Sequence, residues 1–362
     1  MRRVLIRVDA ATNIGTGHVM RCLTLAHALK KKEYRISFIC RKHIGHMADY
    51  IKSQGFDVYL LPRLIEIKRF NYLTWIGATI ENDVYECMKI IQSLKQEIDW
   101  MIVDHYGIDE NWELIIKKHV NRILVIDDLA NRKHNCDILL DQNFTYNYEK
   151  RYNHLVNKDA LKLLGPKYTI LREEFIQARH SLPHKNGKIE HLLVFFGGSD
   201  DTNETMKILQ SFKLLTLYKI EKIEVDVVVG INNQMKEEIK NICSKFENIH
   251  FHFNINYMAE LMKRADLAIC ASGSTTWERY CLGLPGIVIA TAENQIPIAE
   301  SLQIYEIDTY LGMYSDVSQE NLIKVLKKML VNEDEYTFHL KQKKCLELID
   351  GQGINVLVDK LV

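Results

Sequence analysis

The chain lacks an excess of either charge. Its 362 residues carry 47 Lys+Arg and 47 Asp+Glu, so the formal net charge is zero. That excludes a bulk binder of nucleic acid or acidic polymer, and an anionic ligand would have to be met by a few placed groups and backbone amides. No run approaches the ~18 consecutive apolar residues of a membrane span, so no stable membrane insertion is expected. Arg7 and Asp9 break the first apolar run too early for a secretory signal. No C-x-x-C pair occurs among Cys22, Cys40, Cys87, Cys136, Cys243, Cys270, Cys281 and Cys345. Several of these sit in apolar runs, which suits free thiols in a reducing cytoplasm better than disulfides. No short-period repeat, low-complexity segment or Asp-x-Asp pair for a divalent ion stands out. Cys40-x-x-His43-x-x-His46 offers three ligands where structural zinc wants four, so no metal site is expected.

What the chain does have is apolar residues, 47% of the total, and length enough for two domains. Short β-branched runs recur at 4–6, 36–39, 58–61, 101–103, 123–126 and 138–140, with helix-period segments between most of them. That spacing predicts a parallel sheet covered on both faces. A polar stretch at 180–188 reads as a linker. The pattern then restarts at 191–196 and continues with runs at 225–229, 249–253, 267–270 and 287–289. The expected architecture is α/β, with Rossmann-like domains at 1–182 and 188–362 and a last helix that could return to pack on the first. Residues 62–76 are expected to form an amphipathic helix on the core rather than a membrane-facing patch. His250 and His252 alternate on one strand and read as surface or packing residues.

Four segments carry chemistry. The run Val4-Leu5-Ile6 leads through Asp9 into Gly15-Thr16-Gly17-His18, and a periodic segment follows from Val19, with Arg21 one turn on. Strand, tight loop, helix puts His18 where open parallel sheets bind ligands, and an imidazole there can do proton chemistry. The pattern is not a dinucleotide fingerprint, because Met20 stands where a third glycine would fall. Asp104-His105-Tyr106, Asp127-Asp128 and Asp141-Gln142-Asn143 close other strands, and carboxyl ends of parallel strands share one edge. They should line one cleft with His18, although strand-ending Asp and Asn also serve as turn formers and caps. The second segment, Gly197-Gly198-Ser199-Asp200, lets backbone approach a phosphate or sugar edge. The third, Ala271-Ser272-Gly273-Ser274-Thr275-Thr276-Trp277-Glu278, offers amides and hydroxyls at a helix start, a candidate diphosphate cradle, with Glu278 suited to a ribose or to a cap. The fourth closes a strand with Asn294-Gln295, amides able to read both donors and acceptors.

In order along residues 1 to about 300, these segments, with Val103-Asp104-His105-Tyr106-Gly107 and Leu171-Arg172-Glu173-Glu174-Phe175, resemble one family. It is the UDP-2,4-diacetamido-2,4,6-trideoxy-β-L-altropyranose hydrolase family of pseudaminic acid biosynthesis, with a related branch in spore-coat polysaccharide synthesis. The resemblance implies the glycosyltransferase type B fold, with two Rossmann-like domains facing a cleft. It implies UDP held mainly by the C-terminal half and the sugar facing the N-terminal half. It also implies inverting hydrolysis at the anomeric C–O bond with no metal or cofactor, and His18 as general base. The substrate contacts carried over are Asp9, Gly15, Gly17, Arg21, Tyr106, Arg172, Gly198, Ser199, Ser274, Thr275, Glu278 and Asn294. Among these, Glu278 is expected on the ribose and Asn294 near the sugar or phosphate. Asp9 could orient His18, and whether Asp9 or His105 assists it is open at this level. The better phosphate cradle lies at Ser272–Thr276, which leaves the glycine loop to the sugar.

Three other readings compete. A metal-independent glycosyltransferase would use His18 on an acceptor hydroxyl. A non-hydrolysing epimerase would need carboxylate acid/base partners. A binding protein without turnover has no need of a base at position 18. The partner expected in each case is a UDP-sugar, not a nucleic acid, and no oligomeric state is read from the sequence.

Overall fold

The structure is a computed structural model that describes residues 2–68, 71–215, 222–332 and 335–362. The chain divides into two compact units. The first comprises the residues through Asn143, Asn147–Arg172 and Gln352–Val362, and the second Phe144–Tyr146 and Glu173–Gly351.

In the first unit the described strands are β1 (Arg3–Val8), β2 (Arg35–Arg41), β3 (Asp57–Leu61), β4 (Trp100–Asp104), β5 (Arg122–Ile126), β6 (Ile138–Asp141) and β7 (Leu161–Leu164). They form one parallel sheet in the order 3-2-1-4-5-6-7. Every residue of β1 and β4 is buried, as expected of strands covered by helices on both faces. Leu5, Ile39, Met101, Val103, Ile123 and Val125 pack with Trp112 and Ile116 in one core. The order reverses between β1 and β4, where Val8 pairs with Asp104. Crevices at such reversals, outside the carboxyl ends of the strands, are where doubly wound sheets take ligands.

The second unit repeats the plan with β8 (His191–Phe195), β9 (Glu224–Val229), β10 (Ile249–Phe253), β11 (Leu267–Ala271), β12 (Gly286–Ala290) and β13 (Thr309–Met313). Their order is 10-9-8-11-12-13, again parallel, and the reversal lies between β8 and β11. Strands β7 and β13 are not among the runs read from the sequence: β7 is four residues with only its last two buried, and β13 is half-buried throughout.

Three segments refine or depart from expectation. The helix Glu173–Arg179 belongs to the second unit, where Arg179 Nη1 donates to Cys281 O at 2.7 Å. The closing helix Gly353–Leu361 belongs to the first, where Leu361 O accepts from Tyr34 Oη at 2.7 Å and Trp100 Nε1 at 3.0 Å. Gly353 permits that docking, since a Cβ there would sit 2.5 Å from Thr169 N. The described residues of 62–76 do not form the expected amphipathic helix. Among the described residues of this stretch only Tyr72–Ile76 is helical, a short 3-10 turn, and residues 69 and 70 lie outside the described residues. Ile67, Trp75 and Ile76 face the core, whereas Leu64, Ile65 and Leu73 are exposed. All eight cysteines are buried and free.

Candidate functional site

The loop after β1 is built by a turn in which Ile14 N and Gly15 N both donate to Ala11 O, at 3.1 and 2.8 Å. Gly15 has φ +86°, a conformation side chains avoid, which explains a glycine there. The helix Gly17–Lys30 begins immediately after, and Thr16 at its N-cap makes no side-chain capping bond. His18 and Arg21 are three apart and so share a helix face.

That face meets the ends of β4 and β5. His18 Nδ1 lies 2.6 Å from Asp104 Oδ1, with 12% of the histidine side chain exposed and none of the aspartate's. Arg21 holds Asp104 with two bonds, Nε to Oδ2 at 2.9 Å and Nη2 to Oδ1 at 2.8 Å. It holds Asp128 with two more, Nη1 to Oδ1 at 3.0 Å and Nη2 to Oδ2 at 2.9 Å. Asp128 also accepts from Tyr106 Oη at 2.7 Å and Asn143 Nδ2 at 2.7 Å. The Tyr106 ring stands edge-on to the imidazole, centroids 4.5 Å apart, and stacks on Trp75 at 5.5 Å.

Geometry fixes the roles of these groups. An ionised carboxylate only accepts, so the Nδ1 proton of His18 points to Asp104 and Nε2 is left as the basic nitrogen. Burial alone would raise the Asp104 carboxyl, but Arg21 and then His18 hold it well below the usual carboxylate range. Asp128 is likewise lowered by Arg21 against its burial. Burial and the neighbouring Asp128 push the Tyr106 phenol well up, so it stays a donor. Asp141, at the end of β6, is pushed up to about 7, first by burial and then, despite the opposing pull of Arg151, by Asp128. Asn143 bridges the two acids, its Nδ2 reaching Asp141 Oδ1 at 2.8 Å.

Asp9 is the expected site residue that the geometry moves elsewhere. It is buried, 2.7 Å from Arg7 Nη1, and accepts from Arg41 N at 2.6 Å. Its other oxygen lies 3.1 Å from His105 Nε2 and 3.6 Å from His43 Nε2. Asp9 thus belongs to a buried ion cluster with Arg7, Arg41 and Asp83. His105 also turns away from His18, since its Nδ1 accepts from Gly107 N at 3.0 Å and burial lowers its pKa. The residue that orients His18 is Asp104. Its signal was present in the sequence as a strand-ending aspartate, but it looked the same as Asp127, whose Oδ2 accepts from Ala130 N in a turn.

In the second unit, Gly197 has φ +89° and the exposed Gly198 follows it after β8. A Cβ on Gly230 would collide with the Gly198 backbone, so two backbones run in close contact there. Ser199 is half-buried, and Asp200 caps the helix Glu204–Leu215 through Glu204 N and Thr205 N, both at 3.0 Å. After β11, Ser272 is buried and its hydroxyl donates to Gln295 O at 3.2 Å. Ser274 is exposed at the N-cap of the helix Thr275–Cys281, Thr275 is its first residue, and the half-buried Glu278 lies inside its first turn. Asn294 is half-buried in the turn Glu293–Gln295. Gln295 turns its Oε1 back on its own loop, accepting from Thr291 N at 3.0 Å, which engages the acceptor half of the amide expected to read a ligand. Arg172, half-buried, closes the first unit just before the helix Glu173–Arg179. His250 and His252 pair with Glu224 and Asp226 at 2.5 and 2.7 Å.

Residues 192–349 match the glycosyltransferase family 28 C-terminal domain. The chain is 28% identical to the UDP-2,4-diacetamido-2,4,6-trideoxy-β-L-altropyranose hydrolase of Campylobacter jejuni, over 81% of this chain and 93% of that one. It is 26% identical to the spore coat polysaccharide biosynthesis protein SpsG of Bacillus subtilis, over 96% and 94%. The resemblance to this hydrolase family and its spore-coat branch is borne out. A third relative, the uncharacterized protein MJ1062 of Methanocaldococcus jannaschii, is 29% identical over 81% of this chain, which spans only 56% of that protein. Among solved structures, MurG of Acinetobacter baumannii aligns with TM-score 0.68 at 15% identity, covering 100% of this chain and 99% of that one. The UDP-GlcNAc 2-epimerase of Neisseria meningitidis, solved with UDP-GlcNAc, aligns with TM-score 0.62 at 14% identity over 100% and 99%. The fold is therefore that of the type B glycosyltransferases, with two Rossmann-like domains.

Proposed function

We propose that this protein hydrolyses a UDP-linked 2,4-diacetamido-2,4,6-trideoxy sugar at the anomeric C–O bond, with inversion, in the biosynthesis of pseudaminic acid or a related surface glycan. The observation that carries the reading is the His18 Nδ1 to Asp104 Oδ1 contact of 2.6 Å at the reversal of the first sheet. A neutral imidazole so held takes a proton from water on Nε2 as the water oxygen bonds to the anomeric carbon. The bond to UDP breaks, its electron pair leaving with the diphosphate, and no metal or cofactor is invoked. Ser274, Thr275 and the amides around them, with Gly198 and Ser199, would meet the growing diphosphate charge. Glu278 would take the ribose and Asn294 the sugar or phosphate. Gly15, Gly17, Tyr106 and Arg172 would lie on the sugar side, while Arg21 acts on Asp104 and Asp9 on the fold. The C. jejuni relative supports the substrate class, and a cytoplasmic location agrees with eight free cysteines.

The glycosyltransferase match over 192–349 favours one second reading, transfer to an acceptor hydroxyl by the same base. Incubation with UDP-2,4-diacetamido-2,4,6-trideoxy-β-L-altropyranose and no acceptor separates the two. Rapid UDP release, lost in His18→Asn, with solvent ¹⁸O in the sugar, supports hydrolysis. Release only after an acceptor is added supports transfer, and ¹⁸O in UDP overturns attack at the anomeric carbon.

A further inference from the structure

Arg21 is shared between two carboxylates, and only one of them touches His18. Asp104 and Arg21 form a doubly bonded pair whose charges cancel. A histidine beside such a pair alone would face little net negative charge. Asp128 is bonded twice to the same guanidinium and leaves the group one negative charge in excess while the imidazole is neutral. When His18 takes up a proton, the four groups together become neutral. The cluster is nearly enclosed, with Asp104 fully buried and Arg21 and Asp128 11% and 12% exposed, so these charges are weakly screened. Asp128 also fixes the phenol of Tyr106, whose ring stands against the imidazole.

We propose that Asp128 is a positioning residue for His18: through Arg21 it supplies the negative charge that stabilises the imidazolium, and through Tyr106 it holds the ring in place. The inference rests on the function proposed above for its kinetic consequence, but not for its electrostatic one. The groups around His18 come from several elements: Arg21 from its own helix, Asp104 from β4, Asp128 after β5, and the rings of Tyr106 and Trp75. The Cys22 thiol, 3.5 Å from Asp104 Oδ2, is pushed well up by burial and carries no charge. Asp141 lies one step further out, beyond Asn143, with Arg151 as its own counter-ion.

The test compares Asp128→Asn and Asp128→Ser, which remove the charge, with Asp128→Glu, which keeps it. The imidazoles are labelled with ¹⁵N and followed by NMR without substrate, and UDP release from the same UDP-sugar is measured against pH. In the neutral variants the His18 signals should titrate about one pH unit lower than in the wild type. The acid limb of kcat/KM should move with them, and kcat should fall about tenfold with KM unchanged. Asp128→Glu should return the acid limb toward its wild-type position. A folded neutral variant with unmoved His18 signals and acid limb would make Asp128 a scaffold residue and overturn the proposal. Should neither neutral variant fold, the side-chain ¹³C signal of Asp128 in the wild type decides. The proposal requires an ionised carboxylate throughout the His18 titration, and a protonated one overturns it. Shifted His18 signals in a protein that releases no UDP would sink the hydrolase reading and leave this one standing.

Discussion

At the ends of β1, β4 and β5 the first unit gathers a histidine, an arginine and two aspartates. At the corresponding ends of β8 and β11 the second unit gathers glycines, serines and a threonine. Both places are the reversal point of a parallel sheet with the same central strand order. The first uses its hydrogen-bonding capacity internally: four bonds tie one guanidinium to two carboxylates, and the imidazole is tied in turn. The second leaves Ser274 and Gly198 exposed. A group that must move a proton needs a fixed tautomer and a fixed charge environment. A site for a diphosphate needs close backbone and available donors instead. One architecture can carry two such different loop sets because the reversal point fixes only position, and the loop residues decide the chemistry.

The contrast can be broken experimentally, most sharply at His18. His18→Asn should slow UDP release by about 100- to 10,000-fold, the range of a lost general base, while UDP affinity by calorimetry stays within about twofold. A parallel loss of UDP affinity would mean the two sites are not separable. Asp104→Asn removes a fully buried partner of Arg21 and should lower unfolding free energy by about 3 kcal/mol in urea. It should also alter the pH dependence. The Asp104 carboxyl is held below its unfolded value, so its contribution is present above pH ~4 and lost as pH falls further. The loss of stability on acidification should therefore shrink in Asp104→Asn. Asp200 in the second unit has the opposite sign, because burial raises its pKa and the fold loses stability as pH climbs past ~4. Asp200→Asn should make the acid loss larger, and equal slopes in the two variants would erase the distinction between the sites.

Smaller effects are expected in the second unit. Gly230→Ala drives a methyl into the Gly198 backbone and should destabilise that unit by about 2 kcal/mol, with weaker UDP binding and an unchanged pH profile. Ser274→Ala removes one exposed hydroxyl and should weaken UDP binding by about fivefold, near 1 kcal/mol, with no change in fold stability. A large drop in kcat without a change in UDP affinity would move Ser274 from holding the diphosphate to the chemistry.

The sequence alone determined much of this protein. Apolar runs at regular spacing announced two parallel sheets, because strands buried on both faces must be continuously apolar. Glycines beside His18 and after Phe196 announced the loops, because positive φ at Gly15 and Gly197 tolerates little else. Tertiary structure alone decided which acid serves the histidine. Asp9 is nine residues from His18 in sequence and Asp104 is 86, yet the β1–β4 pairing brings Asp104 to His18 while Arg7 and Arg41 bury Asp9 elsewhere. It also decided that Leu64, Ile65 and Leu73 turn outward while Ile67, Trp75 and Ile76 face the core. Local periodicity sets what a segment can bury, but strand order and the competition among charges for buried partners set which residues meet. Those are properties of the whole chain, and no window of it contains them.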